Sequence, residues 1–129
     1  TTEFAQFTVA FPKSWNEGQV SAQFFWTTAG TDTDGVRWGI SAVAMNDNES
    51  INAAFGTAEY VTDNLQSAAN ELYVSAETSA FTIAGTPAEG DLTFFQVERD
   101  HDHGDDGAAE DARLVGIKLF FTTNAANDA

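Results

Sequence analysis

The stretch of this chain best equipped for chemistry runs Asp100-His101-Asp102-His103-Gly104-Asp105-Asp106-Gly107, with Glu110 and Asp111 just beyond it. Calcium is held by six to eight oxygens, largely from closely spaced carboxylates. Asp100, Asp102 and Asp111 occupy the first, third and twelfth places of a helix-loop-helix calcium loop. The match then fails: Gly104 stands fifth, Asp105 stands sixth where the turn needs glycine, and the last ligand is an aspartate. Asp100, Asp102, Asp105 and Asp106 remain the candidate calcium ligands, and no cofactor is positively indicated. The competing reading is a solvated hairpin loop, since blocks of like charge usually face water. His101 and His103 could hold a transition metal with a neighbouring carboxylate, or simply titrate in solvent.

Other reactive constellations are missing. There is no Gly-x-Ser-x-Gly turn, neither histidine lies near a serine, and no glycine-rich phosphate loop appears. Paired carboxylates are always findable among 20 acidic residues and so carry no specificity. These absences point to a non-enzyme. Of the aromatic residues, Trp26 and Trp38 fall in phase with the apolar positions of their strands and read as core. Trp15 sits in a turn, and Tyr60 and Tyr73 sit near strand ends. Those three are the candidates for stacking on a sugar or touching a partner. Arg37, Arg99 and Arg113 lie out of phase with apolar neighbours or at strand ends. Each can offer planar donors to a carboxylate, and Arg99 and Arg113 would face the acidic loop across a hairpin.

The elements that must position these residues alternate with period two, the mark of strands with one buried face. Ala5, Phe7, Val9 and Phe11 form the first such set, and Pro12 ends it. Trp15-Asn16-Glu17-Gly18 reads as a turn, and Val20, Ala22, Phe24 and Trp26 form the next set. Beyond the polar loop 30–35, Val36, Trp38, Ile40, Ala42 and Ala44 alternate again. Asn46 to Ser50 offers helix caps, with Ile51, Ala54 and Phe55 at helical spacing and Gly56 as a stop, which predicts one short helix near 50–55. Further strands are expected over 58–62, 72–76, 81–84, 92–99 and 112–122, separated by Gly, Asn, Asp and Pro. Seven or eight short strands predict an all-β antiparallel β-sandwich over residues 1–123, jelly-roll-like in connection, with a frayed tail over 124–129. Alternation begins by Phe4, which suits a domain hung from an upstream tether.

Composition narrows the partners. The 129 residues are 43% apolar and 12% aromatic, enough for one cored domain. Twenty acidic residues against five basic ones give a formal charge of -15, which repels nucleic acid and anionic lipid. No apolar run approaches the roughly 18 residues of a membrane span, and no signal-peptide pattern opens the chain, so it is expected to be soluble. With no cysteine, neither disulfides nor thiolate metal sites arise.

Several segments together resemble small β-sandwich proteins encoded among the structural genes of tailed bacteriophages, marine ones in particular. They are Phe11-Pro12-Lys13-Ser14-Trp15-Asn16-Glu17-Gly18, Gln23-Phe24-Phe25-Trp26, Gly56-Thr57, Ala84-Gly85-Thr86-Pro87-Ala88-Glu89-Gly90-Asp91, Val97-Glu98-Arg99-Asp100 and Asp111 to Leu119. The resemblance implies a non-enzymatic part of the virion exterior: a head decoration protein or a fibre or spike component. It implies packing against other virion proteins and copies of itself, as a homotrimer, and it supplies no catalytic residues. The alternative expectation is a carbohydrate-binding module that engages host surface polysaccharide through Trp15, Tyr60 or Tyr73.

Overall fold

The computed structural model describes residues 2–124, which form seven strands and no helix. They are β1 (Glu3–Ala10), β2 (Ser21–Thr28), β3 (Gly35–Met45), β4 (Glu59–Asn64), β5 (Tyr73–Val74), β6 (Leu92–Arg99) and β7 (Ala112–Phe120). Two antiparallel sheets result, one in the order β1-β6-β3-β4 and one in the order β5-β2-β7. The all-β sandwich expected from the alternation is therefore the fold. None of the described residues belongs to a helix able to cross a membrane.

The period-two sets become the two inner faces. On β2, Ala22, Phe24 and Trp26 are fully buried, and on β3 Val36, Ile40 and Ala42 are fully buried with Trp38 at 4% exposure. Aromatic rings bridge the sheets. Phe24 stacks on Trp38 with centroids 5.8 Å apart and Trp26 meets Trp38 edge-on at 6.1 Å, while Trp26 lies 4.8 Å from Tyr73, its neighbour in the smaller sheet. Such pairs add stabilisation beyond their buried area and fix which rings face each other. β6 contributes Phe95 and Val97 from the strand between β1 and β3, with Phe7 stacked on Phe95 at 5.0 Å.

Three local expectations are corrected. No helix forms near 50–55. Asn46 and Glu49 close a turn instead, through Glu49 N–H to Asn46 O and Asn46 N–H to the Glu49 carboxylate, with Asn48 at φ 72°. Ile51 is 79% exposed, so a helix there would have had no apolar face to bury, and a helix that short is unstable without one. The strand expected over 81–84 reduces to single bridges, Phe81 to Val20 and Ala84 to Val43. The frayed tail expected over 124–129 begins too early. Asn124 N–H donates to Ser14 O at 2.8 Å, while residues 125–129 lie outside the described residues.

Candidate functional site

β6 and β7, consecutive in the chain, lie in different sheets. The hairpin expected around the acidic segment therefore does not form. Residues 100–111 cross from one sheet to the other along the start of β3. Three hydrogen bonds hold them there: Asp100 N–H to Arg37 O, Ala108 N–H to Gly35 O, and Arg37 N–H to Asp106 Oδ2. Gly35 is required for this close approach, since a Cβ there would stand 2.4 Å from Asp105 O.

Within the crossover the four aspartates separate. Asp106 turns inward, its side chain fully buried, and receives Arg99 as a bidentate partner (Nη2 to Oδ1 2.8 Å, Nε to Oδ2 3.0 Å). Arg99 also donates to Ala108 O and Glu110 O, so one guanidinium fastens the crossover at three places. Burial alone would raise the Asp106 pKa. Hydrogen bonds from Arg99 and the Arg37 amide, the Arg99 charge and the contact with His101 together hold it below the usual carboxylate value. Asp100 pairs with Arg37, whereas Asp102 and Asp105 are exposed. Asp106, expected as an open calcium ligand, is thus corrected to a buried structural anchor. Among the described residues no group of three or more His, Asp or Glu side chains gathers as a metal site would. Nδ1 of His101 lies 3.4 Å from Asp106, and Nδ1 of His103 accepts from the Asp105 amide at 3.1 Å.

The three aromatic candidates also part company. Trp15 is 3% exposed and stacked on Phe11 at 4.3 Å, because residues 122–124 fold back against the turn that carries it. Tyr73 is 6% exposed, packs on Trp26, and donates its hydroxyl to Ala68 O. Both are corrected from ligand contacts to core. Tyr60 remains partly exposed on the outer face of the larger sheet. Its hydroxyl donates to Glu98 at 2.9 Å, and the Arg37 guanidinium sits 3.9 Å from its ring centroid. The ring lies across Gly39, where a Cβ would stand 2.5 Å from Cε1.

Burial, then the hydrogen bond and charge of Glu98, push the Tyr60 pKa up to about 12. Ionisation in an alkaline absorbance titration is therefore expected at about 12, in a phase absent from Tyr60→Phe; ionisation at the ordinary 10.0 would contradict the arrangement. The sign follows from linkage. The neutral phenol is favoured by the fold, so its contribution is complete below the unfolded pKa and is lost as pH rises through about 12.

A second surface was not legible residue by residue. None of β2, β5 and β7 contains an acidic residue, while β7 carries Arg113 and Lys118, both exposed. Leu72, Val74 and Val115 are 60%, 47% and 64% exposed beside them. Acidic side chains bonded to these strands are Asp63, on the Trp26 indole, and Glu77, on Ser21 at the sheet's end. Arg113, expected to face the acidic loop, is corrected to this sheet and pairs with no carboxylate among the described residues, because β7 runs with β2 and away from β6. Counting acidic residues strand by strand is the signal that finds this surface. No family model, curated protein or solved structure matches the chain.

Proposed function

We propose that this chain is a non-enzymatic assembly domain that joins protein neighbours through its smaller sheet. In the setting implied by the resemblance to phage sandwich proteins, it packs on the exterior of a virion, as head decoration or as part of a fibre or spike. The observation that carries this reading is the acid-free sheet β5-β2-β7, apolar and basic at its surface, in a molecule of charge -15. Such a patch is complementary to the acidic loops of another copy, and complementary potentials steer and orient association. Contact between a patch and a different surface of the next copy is heterologous, and closes into a ring where the rotation allows. A homotrimer meets that condition.

The test is sedimentation of the purified chain over a range of concentration and salt. A discrete trimer or larger ring is expected, weakened by salt and abolished by Val74→Glu with Lys118→Glu, both on exposed positions. A monomer at high concentration and low salt, or an assembly indifferent to the double variant, would overturn the reading. The glycan alternative loses two of its three rings, Trp15 and Tyr73, to the core.

A further inference from the structure

The two sheets differ by one strand, and the shortfall falls at a definite place. In a jelly roll, strands lettered B to I in chain order form the sheets C-H-E-F and B-I-D-G. Assigning C to β1 and continuing in order to I at β7 reproduces the first sheet as β1-β6-β3-β4 and the second as β7-β2-β5, with only B lacking a counterpart among the described residues. Strand B would lie beside β7 and opposite β1.

That flank is where the sandwich is open. Over 112–120 no backbone hydrogen bond runs from β7 to any described segment but β2. The inward residues of β1 and β7 are incompletely covered: Ala5 is exposed, and Phe7, Val9, Leu114, Ile117 and Leu119 are half-buried. A cleft of about 200 Å³ opens there between β1, β6 and β7, lined in part by Phe4, Ala5, Val97 and Leu114. Trp38 also lines it, 4% exposed, with an indole Nε1 that has no hydrogen-bond partner. A buried donor without an acceptor keeps its desolvation cost unrepaid and so marks a place where a partner atom belongs.

We infer that this flank takes an extended segment of a partner polypeptide, which pairs with β7 as an added strand and completes the sandwich. β-Strand addition draws affinity from main-chain hydrogen bonds and specificity from alternate side chains. The inward side chains of the segment are apolar and fill the cleft. Those at its outward positions are acidic, because the exposed side chains of β7 include Arg113 and Lys118 and no carboxylate. A second copy is the poorer occupant, since pairing β7 with itself brings two basic strands together. The bulge opposite Phe25, which leaves the exposed Val115 out of register, confines flush pairing to the runs on either side and guards the edge against indiscriminate partners.

This inference adds to the assembly reading, beside the face contact between copies, an edge contact with a different polypeptide, and it can fail separately. The probe is a synthetic peptide matched in length to β7, with valine at alternate positions and glutamate between, set against its lysine counterpart at low salt. The molecule's overall charge favours the lysine peptide, whereas the β7 edge favours the glutamate one. Expected is tighter binding of the glutamate peptide by about tenfold, with slowed amide exchange along β7 and a shift in tryptophan emission from Trp38. Arg113→Glu with Lys118→Glu should reverse the preference. Preference for the lysine peptide in the unmodified chain, protection at β4 or β5 in place of β7, or no protection would overturn the inference. So would self-association that the peptide competes away, which would identify a second copy as the occupant of the edge, or protection of β7 by residues preceding Thr1 in a longer form of the chain, which would identify an upstream strand. If the peptide fails while Val74→Glu still disrupts assembly, the packing reading stands alone.

Discussion

Asp106→Ala is expected to destabilise the fold by about 3–5 kcal/mol, the cost of breaking a buried ion pair from one side. The substitution leaves Arg99, whose side chain is 13% exposed, without its bidentate counter-ion, and strips the Arg37 amide of its acceptor. Arg99 would still reach Ala108 O and Glu110 O, so the crossover should loosen more than detach. Urea unfolding of the variant beside Asp105→Ala, an exposed position in the same acidic run, measures the difference. A loss below about 1 kcal/mol at Asp106, or equal losses at both, would show that the buried pair is not what holds the two sheets in place. Its pH dependence has a fixed sign. The folded-state pKa lies below the unfolded one, so the stabilisation is complete above the ordinary carboxylate value of 3.8 and is lost as pH falls through the depressed value.

Trp26→Ala should cost a similar amount, about 3–5 kcal/mol, for a different reason. The ring is fully buried between the sheets against Trp38 and Tyr73, and its truncation opens a cavity at the centre of the sandwich. It also removes the 2.8 Å hydrogen bond from Nε1 to Asp63. Trp26→Phe separates the two effects. It keeps most of the packing, yet the pKa of Asp63, already raised by burial against the pull of that hydrogen bond and one from the Asn64 amide, should climb further. Carboxyl carbon chemical shifts through an acid titration would follow it, and an unmoved Asp63 would sink the assignment. Here linkage runs opposite to Asp106: a raised carboxyl pKa means that stability is gained as pH falls through it.

These residues also show what could be read before folding and what could not. β2, β3 and β6 announce themselves because their inward positions alternate without interruption, and 92–99 is bounded as the alternation implies. Trp15 was unreadable because its cover comes from residues 122–124, more distant in the chain than any local pattern extends. Tyr73 sits in a two-residue strand, too short for periodicity to show a face. Among the acidic residues of 100–111 nothing local marks Asp106 as the one that turns inward. The scarcity of arginine was the usable hint, and it led correctly to Arg37 and Arg99 and wrongly to Arg113. The expected hairpin fails for a plain reason: β6 and β7 are neighbours in sequence but not in a sheet, and each pairs with strands made earlier in the chain.

That last arrangement governs the order in which the molecule can come into being. Among the described residues, β3 and β4 are the only consecutive strands that lie side by side. β1 and one edge of β3 wait for β6, and β2 has only β5 and the irregular segment after it, bonded through Ser75, Thr78 and Phe81, until β7 arrives. A chain emerging from the ribosome therefore holds most of its aromatic surface unburied until residues 92–120 are available. Because distant pairings must be closed before they repay the entropy of closure, folding should be slow for a domain of this size and concentrated after β7 has been made. Any truncation that removes β6 or β7 leaves the earlier strands as an adhesive, incomplete surface.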